Sequence, residues 1–269
     1  MGDARGRKSI FITGAASGIG AETARLFAKR GWFCGLYDIN EAGLEEVAAE
    51  LGTENCHLAS LDVTKREEWA TAIEGFGEAT EGRMNVLFNN AGIGRHGWME
   101  DIPPEESDLV IDINVKGVIN GVYAALPLLK QTLEARIVNT ASTAGVVASP
   151  RLAVYSASKF AVRGLTEALD VELSGLGVRC TTLMPWFVET PILDMGVTET
   201  ANTKMSDELR ATGMDVYPVS MAAERAWDAA HGKETHYMAG KRAEQARFAA
   251  KWMPKRLKKQ IQRGLPSRD

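Results

Sequence analysis

Short, nearly unbroken apolar runs alternate along this chain with longer amphipathic stretches. The runs are SIFIT (9–13), FCGLYD (33–38), CHLASLDV (56–63), NVLFNN (85–90), RIVNTAS (136–142), VRCTTLMP (178–185) and a weaker HYMAG (236–240). Their length and β-branched content predict strands. Between them, AETARLFAKRG (21–31), EAGLEEVAAELG (41–52) and KREEWATAIEGFG (65–77) are amphipathic at helical spacing and end near a glycine, as helices commonly do. Strands that are apolar at nearly every position have both faces covered. The alternation therefore predicts an α/β fold, a doubly wound parallel sheet of about seven strands with helices on both faces. No linker or repeat interrupts it, so one domain is expected to about residue 240, with a tail over 241–269.

Composition narrows the function classes. The chain has 269 residues, 45% of them hydrophobic, and a net charge of −4, which argues against a nucleic-acid binder. Charge is unevenly placed: from Lys241 onward there are ten Lys/Arg and two acids. Cys34, Cys56 and Cys180 are an odd number, far apart and in apolar strands. That pattern predicts buried free thiols in a reducing cytoplasm, not disulfides, and no metal site. No apolar run approaches a bilayer-spanning length, and the first residues lack the apolar core of a signal peptide, so the expected location is cytoplasmic.

The loop TGAASGIG (13–20) follows the first strand and opens a helix. Gly14 permits a tight turn, Gly18 lets backbone approach a pyrophosphate, and Gly20 allows close helix–strand packing. Ser17 and Ile19 complete the loop, and the helix N-terminus offers N–H groups to phosphate. No Lys-Ser/Thr follows, which excludes a nucleoside-triphosphate P-loop. Asp38 ends the second strand, where a carboxylate accepts both adenosine ribose hydroxyls and repels a 2′-phosphate. The expected cofactor is therefore NAD. Asp62, with Val63, is expected to end the third strand near the adenine amino group.

In AVYSASKFAVRG (153–164), Tyr155 and Lys159 are four apart and share one helix face. Alone, the pair reads more simply as an amphipathic Tyr beside a snorkelling Lys. With the glycine loop, NNAGI (89–93), Asn114, Ser142 and YSASK (155–159), thirteen residues on from Ser142, the chain resembles the compact single-domain branch of the short-chain dehydrogenase/reductases over roughly 8–191. That resemblance implies a Rossmann-type fold and a catalytic tetrad of Asn114, Ser142, Tyr155 and Lys159. Tyr155 is then general acid/base, Lys159 the cation that lowers its pKa and holds the nicotinamide ribose, and Ser142 the donor to the substrate oxygen. Asn114 holds a relay water through side chain or backbone. Asn90, Ala91 and Gly92 line the adenosine side of the cleft. Pro185, Val188 and Thr190 follow the sixth strand, Thr190 where the family bonds the carboxamide. Trp186 replaces the family glycine of that turn. The family's association through two long helices, here about 105–132 and 153–174, implies a homodimer or homotetramer.

Apolar residues over about 190–217 predict a lid, including Ile192, Leu193, Met195, Val197, Met205, Leu209 and Met214. With Ile93, His96, Trp98, Met99, Thr143, Trp186 and Phe187 they suit a hydrophobic, cyclic or aromatic secondary alcohol or its ketone. Arg95, Lys204 and Arg210 are the candidate anchors for an acid. Trp186 either walls the pocket, the preferred expectation, or packs on the C-terminal segment. The tail, KRAEQARFAAKWMPKRLKKQIQRG (241–264), places Phe248, Trp252, Leu257 and Ile261 among cations, with Pro254 dividing two helices. Packing on its own domain or a partner subunit is the simpler reading; weak contact with a membrane surface is the other. The expected function is an NAD(H)-dependent oxidoreductase. The non-catalytic alternative is a dinucleotide-sensing or scaffold protein on the same fold, which has no need of the tetrad. Epimerisation or dehydration is a third use of the fold.

Overall fold

The computed structural model describes residues 6–193, 209, 211 and 213–265. Seven strands form one parallel sheet: β1 (Ser9–Thr13), β2 (Phe33–Asp38), β3 (Cys56–Ser60), β4 (Val86–Asn89), β5 (Arg136–Thr140), β6 (Arg179–Pro185) and β7 (His236–Ala239). Their order is β3-β2-β1-β4-β5-β6-β7. The order reverses between β1 and β4, so the crevice at their carboxyl ends is where this kind of sheet takes a ligand.

Residue alternation along β1 sorts the helices into two layers. Ile10 and Ile12 face a core with α1 (Gly18–Lys29), α2 (Glu41–Leu51) and α7 (Val219–His231), through Phe27, Leu44, Val47, Ala226 and Ala229. Phe11 faces the other side, stacked on Tyr37 at 3.8 Å and packed with Trp69 and Phe76 of α3 (Arg66–Ala79). That layer also holds α4 (Pro104–Ile111), α5 (Gly117–Gln131) and α6 (Ala153–Glu172). Both faces are covered, as the unbroken apolar runs required.

Three local features depart from the sequence reading. β3 stops at Ser60, because the Asp62 N–H turns to Glu68 Oε2 (2.6 Å) and Asp62 Oδ1 accepts from the Thr64 N–H and hydroxyl. Asp62 and Val63 therefore lie in the turn after the strand, with Val63 buried in the core. α4 and α5 are joined by a π turn, Asp112–Lys116, with Asn114 fully buried inside it. The helix spanning Pro104–Gln131 is apolar and long enough to cross a bilayer, with mean hydropathy 1.4. Here it packs against α3, α6 and the sheet.

Pro254 does divide the tail, giving α8 (Lys241–Trp252) and α9 (Pro254–Arg263). Cys34, Cys56 and Cys180 are free and buried. Of the lid residues, Met195, Val197 and Met205 lie outside the described residues, as do Lys204 and Arg210.

Candidate active site

The glycine loop has the backbone its sequence demands. Gly14 (φ +67°) and Gly18 (φ +53°) are left-handed, a region costly for any other residue. A Cβ on Gly20 would stand 2.0 Å from the Gly14 carbonyl oxygen, so α1 begins pressed on the loop. Ser17, at the N-cap, makes no side-chain capping bond, and no acid occupies the first turn of α1. First-turn N–H groups at an acid-free helix end suit a phosphate. Ile19 packs on the core beneath. Asp38 Oδ2 accepts from the Ala16 N–H (3.2 Å) and Oδ1 from the Asn40 N–H (3.0 Å). A carboxylate has about four acceptor positions, so this leaves capacity for ribose hydroxyls beside the loop.

Thr13 and Asn90 tie the loop to β4. The Thr13 hydroxyl accepts from the Asn90 and Ala91 N–H groups, and Asn90 Nδ2 donates to the Thr13 and Gly14 carbonyls. Thr140 donates to Asn90 Oδ1. Gly92 is closely approached: a Cβ there would meet Asn114 Oδ1 at 3.0 Å and Lys159 Nζ at 3.4 Å. The ends of β1, β4 and β5 thus form one braced wall, with Asp62 on the β3 side of the crevice. Val63 can offer that crevice only backbone, since its side chain meets Gly117 in the core.

Asn114, Ser142, Tyr155 and Lys159 surround one point at the end of β5. Ser142 holds φ at +82°, a strained conformation for a residue with a side chain. Its Oγ accepts from the Ala144 N–H (3.2 Å) in a short turn, Thr143–Gly145, that lies directly on α6. Burial raises the Tyr155 phenol, and hydrogen bonding from the Ser142 side opposes that rise. Lys159 stands one helical turn on, its Nζ 5.5 Å from the Tyr155 ring centre and donating to the Thr140 carbonyl at 2.9 Å. Burial lowers its pKa to about 8.

Asn114 uses both amide hydrogens and one oxygen lone pair: Oδ1 accepts from the Ile93 N–H, and Nδ2 donates to the Ile93 carbonyl and to Ser158 Oγ. A relay water held here therefore has the backbone of the π turn and the second lone pair of Oδ1 to bind. Ser158 in turn donates to the Tyr155 carbonyl at 2.7 Å. Sequence reading gave Ser158 no bonding role beyond being small, and gave Thr13 and Thr140 none at the site; their clue was position at the ends of β1 and β5.

The substrate side corrects several expectations. Trp186 is partly buried on the cluster of Val118, Ala141, Val162, Met184, Met238 and Ala243, the last in the first turn of α8, and lies edge-on to Phe187. Its packing thus reaches the C-terminal segment through Ala243. Its φ is negative, and its N–H donates to Ala239, continuing the β6–β7 pairing; the missing glycine is not missed. Met99 is 59% exposed, away from an enclosed pocket. Arg95 is paired with Glu106, which removes it as a free anchor. Thr143 donates to the Pro185 carbonyl at 2.8 Å. Val188 is buried and bridges Tyr217, while Thr190 and Pro191 lie over Gly18. Phe187 and Leu193 remain at this rim, partly and fully buried, and Trp98 is partly buried nearby in sequence to His96. Among the described residues no His/Cys/Asp/Glu cluster suits a metal ion.

A parallel sheet with its crevice at β1/β4, a cradle fitted to a dinucleotide and a Ser–Tyr–Lys cluster define an NAD(P)-binding Rossmann-fold oxidoreductase. The chain belongs to the short chain dehydrogenase family, whose model matches residues 8–202. The oxidoreductase UcpA of Salmonella typhimurium is 40% identical over 190 residues, 70% of this chain and 72% of that protein. A short chain dehydrogenase/reductase from Burkholderia phymatum, solved with NAD, superposes with a TM-score of 0.82 at 28% identity, covering 94% of this chain and 95% of its own. A 3-ketoacyl-(acyl-carrier-protein) reductase from Brucella melitensis, solved with NADH, gives 0.76 at 31% identity, covering 88% and 98%.

Proposed function

We propose that the protein is an NAD(H)-dependent oxidoreductase interconverting a lipophilic secondary alcohol and its ketone, with residues 1–240 as the catalytic domain. The observation that carries this reading is the buried Lys159, one turn from Tyr155 with its Nζ 5.5 Å from that ring and bonded to the Thr140 carbonyl, beside Ser142 in its strained turn. The glycine loop would hold the pyrophosphate, Asp38 the adenosine ribose, Lys159 the nicotinamide ribose and Thr190 the carboxamide. The bound cofactor supplies the hydride acceptor or donor. Ser142 orients the substrate oxygen toward Tyr155, which takes the hydroxyl proton in oxidation and returns it in reduction. Lys159, one turn away, favours the phenolate by charge. The backbone of the Asn114 turn is where a water would pass the proton outward.

Asp38 supports NAD over NADP, because the carboxylate opposes a 2′-phosphate. Phe187, Leu193 and Trp98 support an apolar substrate, and Arg95, engaged by Glu106, does not favour an acid. The buried thiols support a cytoplasmic setting. The dinucleotide-sensing alternative leaves the strained Ser142 and buried Lys159 without a purpose.

The test is a panel of cyclic and aromatic alcohols and ketones, with β-ketoacyl thioesters included, assayed with both NAD and NADP couples. Turnover of apolar ketones with NADH is expected. Tyr155→Phe should cut kcat by about 10²–10⁴-fold while cofactor binding persists. Retained turnover removes Tyr155 as the acid/base, and preference for NADPH removes the reading of Asp38.

A further inference from the structure

The two tail helices are only half accounted for by the domain. α8 docks through Ala243, which is fully buried, and through the Arg225–Glu244 and Arg242–Asp215 pairs in its first turns. Beyond that turn the surface changes. Phe248 is 58% and Trp252 63% exposed, one helical turn apart on α8, and Met253 and Leu265 are exposed as well. α9 has no buried residue, although Leu257 and Ile261 make one face of it apolar. Both are half-buried, and α9 packs against α8.

The two helices also carry Lys251, Lys255, Arg256, Lys258, Lys259 and Arg263, all exposed, with no Asp or Glu from residue 245 to 263, whereas Arg247 turns to a surface pocket shared with Glu167, Asp170 and Glu234. Among the described residues none of the six has an ion-pair partner, and Lys251 rests over the Trp252 ring at 4.9 Å. Uncovered aromatics within an unneutralised cationic surface are what an interfacial helix presents to anionic lipid. Pairing tail on tail would set like charges face to face, which a two-fold contact between copies disfavours.

We propose that α8 and α9 dock the protein on an anionic membrane surface, with Phe248 and Trp252 entering the headgroup boundary and the six cations meeting lipid phosphates. The geometry links this surface to the cleft. Tyr217 bridges Val188 and hydrogen-bonds Phe187 and Glu189, while its hydroxyl accepts from the Arg242 N–H at the start of α8. The docked face therefore adjoins the rim through which an apolar substrate would enter.

The experiment is co-sedimentation of the full chain with phosphatidylcholine vesicles, with and without phosphatidylglycerol, which reads binding without turnover and so stands apart from the assay of the proposed reaction. Binding to the anionic vesicles alone, released by salt, is the expected result. Lys255→Gln, Lys258→Gln and Lys259→Gln together should weaken partitioning by roughly 100-fold. Phe248→Ser with Trp252→Ser should also weaken it. These positions are exposed, so unchanged thermal melts will show that the variants fold. Equal binding to neutral and anionic vesicles, or none to either, overturns the proposal. So does a change of molecular mass in the variants without any change in lipid binding, which would assign the strip to another copy of the chain.

Discussion

Burial makes opposite demands on the two members of the Tyr155–Lys159 pair. It favours the neutral phenol, raising Tyr155, and disfavours the ammonium, lowering Lys159 to about 8 from an ordinary 10.5. Between pH 8 and 10.5 the unfolded chain thus carries a proton on Lys159 that the folded chain has released. Where the unfolded state binds more protons, stability rises with pH. Below pH 8 the cost of the buried charge is present in full; it is relieved as pH climbs through that window, by about 3 kcal/mol in total. Lys159→Met removes this dependence. Urea midpoints of the two chains at pH 7 and pH 10 should show the native protein gaining on the variant by that order. Parallel curves would mean that the ammonium is better solvated than its 3% exposure implies. The variant should lose turnover at every pH, because the charge that destabilises the fold is the one that favours the phenolate.

At the scale of elements, the contact between α1 and the end of β1 is the least forgiving. Gly20→Ala places a methyl 2.0 Å from the Gly14 carbonyl oxygen, and neither backbone can move without disturbing Asn90, which bonds that same carbonyl. Overpacking of this kind costs about 1–3 kcal/mol or more, so the melting temperature should fall together with dinucleotide affinity, measured by quenching of intrinsic fluorescence. A lost affinity with an unchanged melt would place the damage in the cradle alone. This glycine was legible in sequence because its neighbours in the loop are local. The π turn at 112–116 was not. DINVK contains no breaker, and what bends it is the Asn114 amide reaching Ile93, 21 residues away, and Ser158, 44 away. Strand ends behaved similarly: β3 closes early because Glu68, in the next helix, claims the Asp62 N–H. Periodicity reports which side of an element is buried, and side-chain bonds between elements lie outside its reach. Trp186 shows the same limit, since the cluster it packs on joins Val118, Ala141, Val162, Met238 and Ala243, all remote from one another in sequence.

For the molecule as a whole, the sheet order collects the carboxyl ends of β1, β4, β5 and β6 into one crevice, so residues from 14 to 190 reach a common site. The opposite requirement falls on the helical layer of α4, α5 and α6, whose outer side is uncovered in the single chain. Leu109 on α4 is 40% exposed, Tyr123 on α5 72%, and Phe160 and Val171 on α6 41% and 75%. Scattered exposed apolar residues are ordinary, but here they recur on the long helices that carry Asn114, Tyr155 and Lys159 on their inner faces. Members of this family commonly form oligomers, and these helices are the proposed contact. A charge introduced at such a contact is expensive to desolvate, whereas on a free surface it is nearly neutral. Tyr123→Glu with Phe160→Glu should therefore convert the assembly to monomers in sedimentation velocity, with each helix still folded. Because Ser142, Lys159 and Asn114 are braced within one chain, the monomer should keep its dinucleotide affinity. If turnover falls while affinity holds, the assembly is steadying the outer turns of α6 beneath Tyr155; an unchanged mass would move the interface to another face of the molecule.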